Sequence, residues 1–285
     1  MAAGILQYTD ITSLLTDICE GAMLVARDNE LMTALVRNFN GQGMQSRKSS
    51  IYGTVNFAEV AETDDIVPQT YSRSLKSTLT PSEKAASYFI SDQRIESDDQ
   101  DIVADASREL GVGLAQKVEI DLLSNFSSLT GGTIGQAGGT LTWGNILAAQ
   151  ARLRAVNAPL PYTCVLHPYQ WFQLGKNMTI TQGAKQNAPD DLLSSVVANF
   201  WQDTVYGIRF FTTSNIAVDG SDDANGAMFS REAMAFDVRR APRLERDRDI
   251  SKRGWELVMT TVYAKGTWRP EWGITLTGDA ATPSS

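Results

Sequence analysis

The stretch "DDQDIVADASRELGVGLAQKVEIDLLSNF", residues 98–126, decides the fold, because it predicts one helix of about eight turns. The apolar residues of its first half share one side at about 100° per residue: Ile102, Val103, Ala106, Leu110 and Leu114. The apolar residues beyond Gly111 and Gly113 lie roughly half a turn away: Val118, Ile120, Leu122, Leu123 and Phe126. We therefore expect the two ends of the helix to pack against different elements. The open alternative is a helix buried on most sides inside one ordinary core.

A long hairpin is predicted before this helix. Apolar and polar residues alternate in "IYGTVNFAEV" (51–60) and again in "YSRSLKSTLT" (71–80), and the polar "AETDDIVPQT" (61–70) connects them. Neither face of this hairpin is strongly apolar, and an isolated two-stranded ribbon is only marginally stable in water. We expect it to need support from a neighbouring subunit; the alternative is a surface hairpin that lies on its own domain.

The rest of the chain divides into shorter elements. Residues 1–40 are predicted to be helical, and "NGQGMQSRKSS" (40–50) is predicted to be a flexible joint. A short strand around Ala86–Ile90 leads into a polar, acidic connection before the long helix. Thr142 is a predicted N-cap for a helix in "TWGNILAAQARLRAVN", and "DDLLSSVVANFW" (190–201) predicts another helix.

Composition bounds the class of protein. The chain has 285 residues, 42% of them hydrophobic, which suffices for one substantial core or two modest ones. No run of about 18 apolar residues predicts a membrane span, and the start lacks the pattern of a signal peptide. The net charge is −8, so a general nucleic-acid binder receives no support. Cys19 and Cys164 form no disulfide framework, which fits a reducing compartment.

Catalytic chemistry is not expected. The single histidine, His167, lies three residues from Cys164 at a probable strand end, where a buried Cys and a strand-terminal His are the ordinary interpretation. One His and two Cys are too few ligands for a typical zinc site, and the glycine-rich stretches match no phosphate-binding or dinucleotide-binding motif. We therefore expect no catalytic, cofactor-binding or metal-binding residues. The aromatic residues near the C-terminus are interpreted as core packing rather than as a ligand site: Trp255, Tyr263, Trp268 and Trp272.

A charged run, "DVRRAPRLERDRDISKRGWE" (237–256), is the strongest candidate for a binding surface. At strand spacing one face is cationic and the other carries Glu245, Asp247 and Asp249. A subunit interface of complementary charge would pair its Arg residues with acids at the hairpin end, whereas the plainer interpretation is a solvated strand. The candidate intersubunit contacts are Glu59, Glu62, Asp64, Asp65, Arg73, Lys76, Arg243, Arg246 and Arg248.

The order of these elements carries a resemblance. Residues 55–123, "VNFAEVAETDD…KVEIDLL", resemble the extended loop and spine helix of tailed-phage major capsid proteins with the HK97-like fold. The ending "GWELVMTTVYAKGTWRPEWGITLTG" (254–278) resembles the closing strands of that family's peripheral domain. The middle segments "YTCVLHPYQWFQL" (162–174) and "VYGIRFFTTSNIAV" (205–218) look like parts of its axial domain. The likeness covers nearly the whole chain. It consists in the pattern and order of the predicted elements and includes no short invariant motif.

The resemblance implies an α+β fold of five parts. They are an N-terminal arm (1–48), an extended hairpin loop (49–82), the first part of a peripheral domain with the spine helix (83–134), an axial domain (135–238), and the peripheral closing strands with the C-terminal tail (239–285). In that family the hairpin reaches over an adjacent subunit. Some members crosslink a hairpin Lys to an Asn of a neighbour; Lys76 and Lys84 have no matching partner motif, so we expect no crosslink.

The function that the resemblance implies is self-assembly. Hexamers and pentamers of this chain would close into an icosahedral head shell that encloses phage double-stranded DNA without sequence-specific contacts. The implied partners are copies of itself, a separate scaffolding protein and a portal, with decoration proteins left open; no membrane and no cofactor are expected. The protein would be assembled in the host cytoplasm and reside in the virion capsid. Two alternatives stay open: an encapsulin-type bacterial compartment with protein cargo, and a monomeric α+β hydrolase with a deep pocket.

Overall fold

The computed structural model describes residues 31–40, 45–52, 73–97, 102–180 and 204–283, together with the single positions 57, 59, 60, 68 and 70. The helices are α1 Met32–Leu35, α2 Asp92–Ser97, α3 Ile102–Leu123, α4 Trp143–Ala155 and α5 Pro168–Ile180. The strands are β1 Arg37–Asn40, β2 Arg47–Tyr52, β3 Arg73–Leu79, β4 Ser82–Ser91, β5 Thr133–Gly135, β6 Tyr162–Leu166, β7 Thr204–Val205, β8 Ile208–Thr212, β9 Asp223–Ser230, β10 Met234–Asp249, β11 Gly254–Thr267 and β12 Gly273–Asp279.

These strands form three sheets, which gives the chain the predicted α+β class. One has the order β1-β10-β11-β4, a larger one has the order β5-β12-β9-β6-β8-β7, and β2 and β3 form a separate ribbon. Strand β12 pairs with β5 and β9, so residues 273–279 lie in the six-stranded sheet. None of the helices in the described ranges is long and apolar enough to cross a membrane.

The predicted long helix is present as α3, but its described side chains do not change sides as predicted. Leu110, Val118 and Leu122 are buried at multiples of four residues, whereas Ile120 is 41% exposed. Steps of four residues turn a buried stripe by only about 40° each, so the stripe winds gradually across the helix. Its apolarity assigned Ile120 to the core, but the acids on either side of it, Glu119 and Asp121, are the buried residues.

The middle and the C-terminal end of α3 nevertheless pack into different clusters, whereas the side chains of residues 102–104 lie outside the described part of the chain. Leu110 packs against Met259 of the four-stranded sheet, with Leu244 beside them. Beyond it, Val118 and Leu122 belong to the larger core between the sheets, with further members Met32, Phe126, Phe229, Phe236 and Tyr263. A helix that bridges two cores in this way holds the two sheets in a fixed relation.

A buried carboxylate fastens α3 to β11. Asp121 accepts hydrogen bonds from the Tyr263 hydroxyl at 2.7 Å and from Lys117 Nζ at 3.0 Å, and Lys265 Nζ lies 3.3 Å away. Burial alone would raise the pKa of Asp121, but the hydrogen bonds from Tyr263 and Lys117 and the charge of Lys265 outweigh burial and lower it. The carboxylate therefore stays ionised inside the protein.

The hairpin is present, but its first strand lies elsewhere than predicted. β2 runs antiparallel to β3 from Arg47 to Tyr52, so it begins inside the segment predicted to be a flexible joint. The physical reason is a distant contact: Arg47 Nε donates to the buried Asp237 at 3.0 Å, which fixes this end of the ribbon. The acidic hairpin end, including Glu62, Asp64 and Asp65, lies outside the described residues.

Three further predictions have clear outcomes. Thr142 caps α4, since its hydroxyl accepts from Asn145 N at 3.4 Å, as predicted. The predicted strand near Ala86–Ile90 is the longer β4, and the connection after it contains helix α2 rather than irregular chain. The helical prediction for residues 1–40 is wrong at its end, because residues 37–40 form strand β1, which pairs with β10. Residues 1–30 and the helix predicted in 190–201 fall outside the described residues.

Strand β10 is long but not regular. Its pairing with β11 shifts register twice, between Val238 and Arg240 and between Arg240 and Arg243. Pro242 lies within the second shift, where a residue that lacks an N–H can be accommodated. Before this region the pair contributes Phe236 and Tyr263 to the larger core, and beyond it Met259 and Leu244 pack with Leu110 before the strands reach the turn at 250–253.

Candidate subunit interface

The ribbon β2–β3 meets the body at two neighbouring cross-strand pairs, Arg47 opposite Leu79 and Ser49 opposite Ser77. At the second pair the Ser77 hydroxyl donates to Thr267 O, and Ser49 is buried. Leu79 is fully buried in a small cluster with Ala235 and Ala264. The Arg47 guanidinium lies 4.4 Å from the Phe39 ring centroid, besides its bond to Asp237. We call these six residues together the ribbon root: Phe39, Arg47, Leu79, Ala235, Asp237 and Ala264. Each strand of the ribbon is thus held separately, one by apolar packing and the other by a buried charge.

On the outer part of β3, beyond these two pairs, the described side chains are exposed. Arg73, Leu75 and Lys76 are exposed, and Lys76 is the extra residue of a bulge, because Ser77 pairs with Ser49 and Leu75 with Ser50. Further out, Phe57 is 98% exposed and Val60 48% exposed. Leu75 lies on the ribbon itself and is 57% exposed. Large apolar side chains left in water in this part of the chain indicate a surface that another chain covers.

The projecting end of β10–β11 is held within the chain more firmly than the sequence suggested. Arg248 forms a two-pronged pair with Asp92 of α2, with Nη2–Oδ2 at 2.8 Å and Nη1–Oδ1 at 3.3 Å. The Arg246 and Arg248 guanidinium carbons lie 5.3 and 5.1 Å from the Trp255 ring centroid. Asp92 was missed as a partner because helix α2 was not predicted.

The remaining candidate contacts are dispersed. Arg243 pairs with Glu245 at 2.8 Å, and both side chains are more than half exposed. Glu59 is exposed at an isolated described position, and Arg73 and Lys76 lie on the ribbon. Within the described residues, therefore, the predicted pairing between the acidic hairpin end and the β10 arginines is not formed in one chain. A contact between chains stays a prediction.

A groove lies between α3 and the edge strand β4, with a cavity of about 250 Å³. Its floor is apolar, with Ala86, Leu110 and Met259, and Gly113 leaves open space above them. Lys84 and Lys117 line its rim, together with Glu109 and Tyr88. The rim carries two lysines against one glutamate, and Lys117 also bonds to Asp121. With its apolar floor, the groove suits an extended segment that carries aromatic and acidic side chains.

The residues considered for chemistry are in structural positions. Cys164 is fully buried, and burial raises the pKa of its thiol, which disfavours the nucleophilic thiolate. Burial also lowers the pKa of His167. Tyr263 is buried in the core, and Trp268 and Trp272 pack against core clusters, as predicted for core aromatics. The same prediction is wrong for Trp255, which is only partly buried and lies against Arg246 and Arg248. In the ranges that the structure describes, no cluster of three His, Cys, Asp or Glu residues suits a metal ion.

Both the sequence and the fold of this chain have relatives among known proteins. A family model described as phage capsid protein matches residues 76–276. The capsid of cyanophage P-SCSP1u is similar with a TM-score of 0.69 at 14% identity, covering 88% of this chain and 89% of that chain. A structure from Mycobacterium phage Che8 gives a TM-score of 0.66 at 16% identity, covering 82% and 85%. A virus-like particle from Pyrococcus furiosus gives 0.59 at 12% identity, covering 92% and 98%. A search of curated proteins returned no match.

Proposed function

The chain belongs to the phage capsid protein family and has the HK97-like fold of a major capsid protein that forms the head shell, and we propose that its copies assemble as hexamers and pentamers around double-stranded DNA. The partners we propose beyond further copies are a separate scaffolding protein and a portal, with assembly in the host cytoplasm. The role proposed is structural and not catalytic.

The observation that carries this proposal is the uncovered ribbon. β2 and β3 form a sheet of their own, outside the two larger sheets, and Phe57 near the ribbon's outer end is 98% exposed. A ribbon of this kind cannot bury enough apolar surface within its own chain to be stable alone. We infer that a neighbouring subunit covers it, as expected for repeated contacts around a ring.

We propose that the groove between α3 and β4 receives the hairpin end of another copy. Leu79 packs against Gly266 and Ser82 pairs with Tyr263, so β3 and β4 run on along β11 and the ribbon points away from its own groove. The fourteen residues from Arg73 to Ala86 make thirteen steps, a span of about 43 Å where the chain is fully extended. A second copy supplies both the exposed Phe57 for the floor and four acids for the lysine rim: Glu59, Glu62, Asp64 and Asp65.

The parts of the subunit follow from the same proposal. We propose the five-part division given by the sequence, with one change at its end. Residues 273–279 are counted with the axial domain, because β12 pairs inside the six-stranded sheet. The peripheral domain then contains α3, β4, β11 and most of β10, and the arm adds β1 to the same sheet. The ribbon is the extended loop.

Particle formation tests the proposal. We expect the purified protein to elute from size exclusion far above the 31.1 kDa monomer and to show closed shells by negative-stain microscopy. Lys84→Glu should reduce the yield of particles, while Arg154→Glu, which reverses an exposed charge on α4, serves as the matched control. A protein that stays monomeric under all assembly conditions would refute the shell.

The cargo separates two kinds of shell. Phage heads enclose DNA, whereas a bacterial compartment of the same fold would enclose protein, and the likeness to the Pyrococcus furiosus virus-like particle makes this second case worth testing. Nuclease treatment of purified particles, followed by extraction, should release protected double-stranded DNA. Particles that contain a co-purifying protein and no nucleic acid would favour the compartment.

A further inference from the structure

Asp237 of β10 is a buried carboxylate that two arginines share. Its side chain is fully buried, and its Oδ2 accepts hydrogen bonds from Arg47 Nε at 3.0 Å and from Arg239 Nε at 3.3 Å. Arg47 belongs to the ribbon, whereas Arg239 belongs to the same strand as Asp237. One positive charge is enough to balance a buried carboxylate, so either arginine can do this without the other.

Two neighbouring polar atoms of this group have no partner. Within the described part of the chain, neither Asp237 Oδ1 nor Arg239 Nη2 forms a hydrogen bond, although both atoms are buried. Nε and Nη2 lie on the same edge of a guanidinium, and a carboxylate can accept from both at once, one bond to each oxygen. Arg239 therefore makes only one of the two bonds to Asp237 that its chemistry allows.

The position of Arg239 depends on the body and not on the ribbon. Residues two apart in a strand point to the same face, so Arg239 follows Asp237 on that face of β10. The pairing of β10 with β11 shifts register between Val238 and Arg240, at Arg239 itself. The Arg239 side chain is only 9% exposed, so it stays beside Asp237 whether or not Arg47 is present.

This arrangement changes what release of Arg47 costs. A buried carboxylate that loses its one cation is strongly destabilising, because the charge is left without compensation. Asp237 keeps Arg239 when Arg47 leaves, and a small rotation of the guanidinium brings Nη2 to Oδ1. The bond lost from the ribbon is then offset by a bond gained within the body.

We propose that Arg239 takes over Asp237 with two bonds when Arg47 withdraws, so that the β2 end of the ribbon is releasable. The β3 end is held differently, since Leu79 is fully buried and the Ser77 hydroxyl donates to Thr267 O. One strand of the ribbon is thus a fixed pivot, and the other is a reversible attachment.

Thiol labelling of full-length, unassembled subunits measures this release. Ser49 of β2 is 2% exposed, so a Ser49→Cys variant reacts with a maleimide only when this part of the ribbon opens. Peptide mass identifies the labelled position. In Arg239→Met, opening leaves Asp237 without a cation, and we expect labelling at position 49 to slow at least tenfold. If Arg239 only stabilised the body, its loss would speed labelling instead.

Controls separate release from reactivity and from general stability. Thr78→Cys carries an exposed thiol on β3, and its labelling should not depend on Arg239. Arg243→Met removes an exposed arginine of the same strand and should leave labelling at position 49 unchanged. Arg239→Lys keeps the charge but lacks the two-donor edge, so it should slow labelling by a smaller factor. Thermal unfolding confirms that each variant is folded.

A double-mutant cycle is the second measurement. Arg47→Met and Arg239→Met each leave Asp237 one arginine, so each should lower the urea midpoint only slightly. The double variant leaves the buried carboxylate without a cation and should lower the midpoint by more than the sum of the two. In an Asp237→Asn background this excess should disappear.

Three results would overturn the proposal. They are labelling at position 49 that is unchanged or faster in the Arg239 variants, additive effects of Arg47→Met and Arg239→Met, and an excess that persists in Asp237→Asn. If Arg239→Met does not fold, Arg239→Lys decides the first of these. All are measured on unassembled subunits, so none depends on shell formation.

Discussion

The packing of Leu79 against Gly266 predicts whether Gly266→Ala raises or lowers the free energy of unfolding. A methyl group added at Gly266 would lie 2.7 Å from Leu79 Cδ2, and Leu79 is fully buried. Gly266→Ala alone should therefore force Leu79 to shift, at a cost of about 1–3 kcal/mol. Leu79→Ala alone should cost about 3 kcal/mol through the cavity that it leaves.

Together the two substitutions should compensate. In the Leu79→Ala background the methyl at position 266 enters the vacated space and regains about 0.8 kcal/mol of burial. Gly266 does not occupy the left-handed backbone region, so Ala also gains about 0.4–1 kcal/mol by restricting the unfolded chain. Gly266→Ala should thus destabilise the wild type and stabilise Leu79→Ala, a coupling of about 2–4 kcal/mol.

Urea unfolding of unassembled subunits measures this coupling. Trp268, one of six tryptophans, packs against the same cluster, so intrinsic fluorescence is followed together with far-UV circular dichroism, which reports on the fold as a whole. Gly113→Ala is the matched control, because nothing lies within 4 Å of its added methyl and its effect should add to that of Leu79→Ala. Equal destabilisation by Gly266→Ala in both backgrounds would refute the packing described for the ribbon root.

Three other outcomes are expected. Asp121→Asn should lose stability relative to the wild type at neutral pH, and because the pKa of Asp121 is lowered, the difference is full above its usual value of 3.8 and shrinks as the pH falls through the lowered pKa. Urea midpoints across pH measure it, and a difference that grows below that value would contradict the assigned bonds. Arg246→Glu with Arg248→Glu should impair shell assembly while the subunit still folds, as judged by microscopy and circular dichroism; normal particles would count against it. Adding Asp92→Arg to Arg248→Glu restores the pair within the chain, so recovered assembly would show that Arg248 acts through α2. Mature particles boiled in detergent should give one band near 31.1 kDa, whereas a ladder would reveal crosslinks through Lys76 or Lys84.

Local signals were sufficient for part of the fold. The Thr142 cap, the apolar run of β6 and the length of α3 depend on residues near one another in sequence, and all three were predictable. The start of β2 and the existence of α2 were not predictable. Each depends on a contact across the chain, Arg47 with Asp237 at a separation of 190 residues and Arg248 with Asp92 at 156.

The candidate site divides in the same way. Residue type and spacing were enough to identify the β10 arginines and the hairpin as candidate contacts. They did not identify the residues that either of them contacts. Glu119 gave no sequence signal at all, because an acid on a helix is usually solvated, and only the gradual winding of the buried stripe puts it inside. Its apolar neighbour Ile120 was predicted to be buried instead.

The register shifts near Pro242 have a mechanical consequence for a closed container. The sixteen residues of β10 extend over about 53 Å, and their ladder with β11 is interrupted at one place part of the way along. A bend of about 5° there displaces the far turn by only about 2 Å, with few ladder bonds disturbed. Identical subunits can in this way fit both flat and sharply curved parts of a shell. The bending is confined to a few residues of each copy.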